Sequence, residues 1–152
     1  MMPPCVLAID SGGMTGLACC WEQGRAFYAD EYEFLEAGDH VEHLCQQWGP
    51  ALLMILEKYR IDRRRPQTHA HLALEMSGVA RRAALKNGCQ LLEPGPRERL
   101  TATPEVLKAL GWWVPGKDDA QAAAQHLAAH LIRSGNLPPA GVAVLSEPTG
   151  TL

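Results

Sequence analysis

The sequence predicts a mixed α/β fold, in which a three-stranded antiparallel meander is extended by parallel strands and covered by helices on both faces. Three observations lead there. The N-terminal third holds three strand-like runs joined by short glycine-bearing turns. A single apolar stripe at helical spacing follows. From residue 70 onward, strand-like and helix-like segments alternate, the pattern of a sheet packed between helices.

Cys5-Val6-Leu7-Ala8-Ile9-Asp10 is a short apolar run ending in a carboxylate and reads as a buried strand. Ser11-Gly12-Gly13-Met14 turns the chain, and Thr15 to Trp21 returns alongside as a second strand. After Gln23-Gly24, Arg25 to Phe34 makes a third, more exposed strand. Asp39 with Glu42 three residues on fits a helix-capping pair. Val41, Leu44, Trp48, Leu52, Ile55 and Tyr59 then give one helical stripe, which Gly49-Pro50 should kink or split. Ala70-His71-Leu72-Ala73-Leu74-Glu75 reads as another buried strand ending in an acid, followed by a short basic helix from Ser77 to Asn87 closed by Gly88. Leu100 to Thr103 suggests a short strand leading into a helix from Pro104 to Leu110. A loop bearing Trp112 and Trp113 precedes a strong helix from about Asp119 to Ser134. These elements make one domain over residues 1–135, with residues 136–152 a Pro- and Gly-rich, partly ordered tail.

The chain has 152 residues, 47% hydrophobic and 20% charged, enough for one core and unlike a disordered composition. No apolar run approaches the roughly 20 residues that span a bilayer, and Met1-Met2-Pro3-Pro4 does not open as a secretory signal does. Five cysteines without metal-site spacing suit a reducing, cytoplasmic setting. The net charge of -3 argues mildly against a uniformly basic nucleic-acid binder, because phosphate contacts need cations. Basic residues are clustered, however: Arg60, Arg63, Arg64 and Arg65; Arg81, Arg82 and Lys86; Arg97 and Arg99. Such patches can hold DNA on a slightly acidic protein, although solvated surface is the plainer use of any one of them.

Three acids stand where a buried site would use them: Asp10 and Glu75 at the ends of apolar runs, and Asp118-Asp119 at the start of the last helix. A carboxylate buried beside others is costly unless a cation neutralises it. Oxygen-only ligands favour Mg2+, with Mn2+ as a substitute. Taken singly, a strand-end acid is more often a turn or cap residue. At about 100° per residue, Asp119, His126 and His130 share one side of the last helix, while Asp118 points away and, with Gln121 three residues on, suits an N-cap.

Ile9-Asp10-Ser11-Gly12-Gly13-Met14-Thr15-Gly16-Leu17-Ala18 resembles the opening motif of RuvC-like Holliday junction resolvases, an acid followed by small residues and then Thr-Gly. Leu72-Ala73-Leu74-Glu75 resembles their second acidic strand, and Lys117-Asp118-Asp119-Ala120 leading to His126-Leu127 resembles the segment carrying their last acids. The resemblance runs from about residue 5 to residue 134. It implies a ribonuclease-H-like fold, an Mg-dependent endonuclease acting on branched DNA such as four-way junctions, and a homodimer. Asp10, Glu75 and Asp119 would then be the metal ligands, with Asp118 and His126 beside them as further catalytic candidates. The family often carries two acids three residues apart on the last helix. The second would fall at Ala122, so one ligand is missing.

His126 reads equally as a proton shuttle or phosphate contact and as a packed polar residue. Arg81, Arg82, Lys86, Lys108 and Lys117 are candidate DNA contacts. Trp112 and Trp113 suit stacking on unpaired bases, or a core or dimer contact. Two rivals stand against the nuclease. An ATP-binding fold of the actin and sugar-kinase type also opens with a strand, an Asp and a Gly-rich turn, but it needs a second lobe. A catalytically weak or inactive protein of the same fold, kept for DNA binding or assembly, is the reading Ala122 supports.

Overall fold

The structure, a computed structural model, describes residues 2–58 and 70–136. Strands β1 (Cys5–Asp10), β2 (Thr15–Trp21) and β3 (Ala26–Tyr32) form the expected antiparallel meander. Helix α1 (Phe34–Trp48) follows, and a 3₁₀ turn at Gly49–Ala51 leads into β4 (Leu52–Leu56). Helix α2 (Ala70–Asn87), β5 (Gln90–Leu92), a 3₁₀ turn (Pro96–Thr101), α3 (Pro104–Leu110) and α4 (Asp118–Arg133) complete the described chain. The sheet order is β3-β2-β1-β4-β5, with β4 parallel to both β1 and β5.

The alternation of side chains along each strand divides the core. Val6 and Ala8 of β1 join Ala18, Cys20, Leu53 and Ile55 on the face packed by α4, with Leu107 of α3 and Trp112. Cys5, Leu7 and Ile9 join Leu17, Leu52, Met54 and Leu56 on the other face, where α1 supplies Val41 and Cys45 and α2 supplies Met76 and Ala80. Helices therefore cover both faces. Among the described residues no helix is long and apolar enough to cross a membrane. All five cysteines are free thiols.

The sequence reading is corrected in its middle. The helical stripe that Gly49-Pro50 should kink or split is a helix followed by a strand: α1 stops at Trp48, and Leu52–Leu56 is a strand buried at every position. A strand covered on both faces shows a continuous apolar run rather than alternation, so its spacing imitates a helix. Gly49, with φ of 51°, ends α1, and Pro50 starts the turn that separates the two. Asp39 lies inside α1, whose first residue is Phe34. Residues 70–75, read as the second acidic strand, are the first turns of α2, which buries Ala73, Met76, Ser77, Ala80, Ala83 and Ala84 at three- and four-residue spacing. Residues 100–103 form the end of a 3₁₀ turn and the approach to α3 instead of a strand. Tyr59, the arginine cluster at 60–65 and residues 137–152 of the expected tail lie outside the described residues.

Candidate active site

One cross-strand row at the end of the sheet gathers the acids. Asp10 ends β1 and pairs with Gly16 of β2, which pairs in turn with Glu31 of β3. On the other side of β1, Ile9 pairs with Leu56, and the ladder runs one step further as the Glu57 amide donates to the Ile9 carbonyl at 3.2 Å. Asp10 and Glu57 thus end adjacent strands, about 4.8 Å apart in the hydrogen-bonding direction. The two-residue period carries both to one face: Val6, Ala8 and Asp10, like Leu53, Ile55 and Glu57, point toward α4.

Helix α4 delivers the third acid because position 16 is glycine. A β-carbon on Gly16 would lie 1.9 Å from the carbonyl oxygen of Asp119, 2.2 Å from its carbonyl carbon and 2.7 Å from the amide nitrogen of Ala120. The first turn of α4 therefore rests directly on the backbone of β2, and the Thr15-Gly16 pair of the opening motif acquires a physical reason. Asp119 is half-buried and Asp118 exposed, the orientation the helical geometry of the sequence predicts. The N-cap, however, is Lys117, not Asp118, which is the first helical residue. The Gln121 side chain instead accepts from the Val114 amide at 3.0 Å.

Crowding these carboxyl groups sets their protonation. Burial pushes the Asp10 carboxyl up, and Glu57 and Asp119 push it further, to about 9, with the Arg99 guanidinium the opposing influence. Burial also disfavours ionised Glu57, but His126, Asp10 and Arg99 outweigh it and hold Glu57 down at about 2. The pair so carries one proton near neutral pH. Asp119 is raised by burial and by the charges of Glu31 and Asp118. Nε2 of His126, whose side chain is fully buried, lies 3.2 Å from Oε1 of Glu57. Neither ring nitrogen completes a well-aligned hydrogen bond among the described residues. Arg99 is half-buried, and its Nε has no hydrogen-bond partner among the described residues.

Position 75 does not join this row. Glu75 is exposed on α2, on the α1 side of the sheet, and the carboxylates that act on Asp10 are those of Glu57 and Asp119. The acid at the strand end beside Asp10 is Glu57, which follows β4. Leu52-Leu53-Met54-Ile55-Leu56-Glu57, an apolar run closed by an acid just after Gly49-Pro50, repeats the form of the first strand and was the signal that could have found it. Arg99 and Glu31 were also missed as site residues. Both lie outside any motif and reach the row only through tertiary placement.

The basic candidates divide. Lys117 pairs with Asp30 at 2.5 Å beside the site, and Arg81 pairs with Glu93. Arg82 and Lys86 are exposed on α2. Lys86 occupies its last turn, close to where β5 begins, and so lies at the end of the sheet remote from Glu57. Nζ of Lys108 stands 4.7 Å from the ring centre of Trp113. Trp112 is buried and stacks on Phe27 with ring centres 4.6 Å apart.

The oxygen-only chemistry of Asp10, Glu57 and Asp119 fits a hard divalent cation, whose charge would offset the burial and the neighbouring carboxylates that raise Asp10. Among the described residues, no three His, Cys, Asp or Glu side chains already stand grouped closely enough to hold a metal ion. Ala122, where the resemblance expects a further acid, is buried against the sheet.

A mixed sheet of this order, with helices on both faces, has the ribonuclease-H-like fold. No protein-family model matches the chain, and no curated protein matches it by sequence. Among solved structures, RuvC of T. thermophilus in complex with a Holliday junction substrate is similar, with a TM-score of 0.59 and 21% identity, over 89% of this chain and 98% of that one. A second Thermus thermophilus RuvC structure gives a TM-score of 0.58 and 19% identity, over 89% and 99%. The chain has the RuvC-like resolvase fold.

Proposed function

We propose that the chain is a metal-dependent endonuclease that hydrolyses phosphodiester bonds in branched DNA such as four-way junctions, with Asp10, Glu57 and Asp119 as the Mg2+-binding carboxylates. The observation that carries this reading is the row at the sheet end, where Asp10 and Glu57 sit on adjacent strands and Gly16 lets the turn bearing Asp119 close over them. The similarity to a RuvC that is bound to a Holliday junction supports DNA of that class as the substrate.

Bound Mg2+ would activate a water and stabilise the leaving oxygen. The chain's own residues prepare for this. Glu57 is kept ionised by His126 and Arg99, a bound cation would take the place of the Asp10 proton, and the buried His126 ring stands 3.2 Å from the Glu57 carboxylate. Arg99 supplies a positive charge beside Asp10 and Glu57, where a scissile phosphate would approach. A homodimer would place two such rows for paired cuts.

The test is a synthetic four-way junction incubated with Mg2+ or Mn2+. The parent and Glu75→Gln are expected to cut it, and Glu57→Gln to bind without cutting. Cleavage by Glu57→Gln, or its loss in Glu75→Gln alone, would overturn the assignment. Tight binding by the parent with no cutting in either metal would instead favour a non-catalytic DNA-binding protein, the reading that the buried Ala122 supports.

A further inference from the structure

Trp112 and Trp113 are neighbours in sequence with opposite environments. Gly111 ends α3 in the left-handed conformation at φ of 77°, and the Trp112 amide donates back to the Leu107 carbonyl at 2.8 Å. The Trp112 ring then inserts into the core, stacked on Phe27 with 7° between the planes. Two residues after Trp112, the Val114 amide is held by the Gln121 side chain, itself two residues along from Asp119 in the first turns of α4. The backbone of Trp113 is therefore held on both sides, while the residue remains 36% exposed, a large share for a tryptophan. The ammonium of Lys108 stands 4.7 Å from the ring centre, which places a cation against the aromatic surface without an acidic partner among the described residues.

We infer that Trp113 and Lys108 form a stacking platform for an unpaired nucleobase, tied through Val114 and Gln121 to the part of α4 that carries Asp119. This rests on the reading of the chain as a DNA-binding nuclease and names how it separates branched DNA from duplex. A duplex keeps its bases stacked on one another. At a branch point a base can leave its stack and lie on the indole, with its phosphate near the lysine, and such stacking is independent of sequence because every base has a π-face. A backbone already held on both sides has little further order to gain on binding, so more of the contact energy is retained.

The experiment measures binding in buffer without Mg2+, using a fluorescein-labelled four-way junction and a linear duplex with the same arm sequences. Trp113→Ala is expected to bind the junction roughly 10- to 100-fold more weakly, the range that stacking of one base implies, and the duplex within about twofold of the parent. Trp113→Phe keeps an aromatic face and should recover most of the junction affinity. Junction binding should quench tryptophan emission in the parent, and less so in Trp113→Phe, which keeps the other three tryptophans. Parental junction affinity in Trp113→Ala overturns the platform and leaves the nuclease reading standing. Equal losses on junction and duplex overturn it as well, since they report charge or folding rather than stacking. A parent that binds neither DNA overturns both readings.

Discussion

Replacing Gly16 by alanine probes the contact on which the site depends. The new methyl carbon would lie 1.9 Å from the Asp119 carbonyl oxygen and 2.2 Å from the carbonyl carbon. Ordinary contact is about 3.5 Å, so α4 or β2 must yield by roughly 1.5 Å. No side chain can turn aside to absorb this, because the atoms met are backbone on both sides. Overpacking of this kind costs about 1–3 kcal/mol, seen as a melting temperature lower by roughly 3–10 °C for a domain of this size. The effect on cleavage should be larger, because Asp119 travels with the displaced turn, and a shift of about 1 Å in a catalytic group costs on the order of 100-fold. Thermal melts followed by circular dichroism, with single-turnover cleavage of a four-way junction at saturating Mg2+, separate the two effects. Gly78→Ala is the control: its β-carbon meets nothing within 4 Å on an exposed helical position, so it should stabilise by roughly 0.5–1 kcal/mol and leave cleavage unchanged. Parental cleavage by Gly16→Ala with an unaltered Mg2+ requirement would refute the placement of Asp119 over β2 or its use in the reaction.

The raised Asp10 links stability to pH. Its folded value, about 9, exceeds that of the unfolded chain, so its stabilising contribution is full in acid and drains away as pH rises toward 9. Without metal, Asp10→Asn should therefore raise the melting temperature several-fold more at pH 8 than at pH 5; equal shifts at both would deny that Asp10 holds a proton. Mg2+ bound by these carboxylates would displace that proton, so its affinity should climb between pH 6 and 9, and calorimetry in buffers of different ionisation enthalpy should register proton release. Trp112→Ala removes a buried ring stacked on Phe27 and should destabilise by about 3–5 kcal/mol, detectable as a large fall in the urea midpoint; a change near zero would place the ring outside the core.

Asp10, Asp119 and the glycine-bearing turn could be named from the chain because local rules govern them. An apolar run closed by an acid fixes a strand end, and the orientation of adjacent residues on a helix distinguishes Asp119 from Asp118. Glu57 went unnamed and Glu75 was named in its place, because the two look alike along the chain. Both follow apolar residues, and a strand covered on two faces has no alternation to betray it, whereas the alanine-rich start of α2 imitates one. Parallel pairing of β4 with β1 brings Glu57, and not Glu75, next to Asp10.

The chain by itself determined the order of strands in the meander, the extent of the last helix and the hydrophobic faces that pack them, since each follows from a period of two or about 3.6 along neighbouring residues. Which acids meet, which arginine lies against them and why position 16 is glycine were decided only by tertiary structure. Those facts depend on distances between residues remote in sequence, where burial and like charge act across space and leave no periodic trace in the order of amino acids.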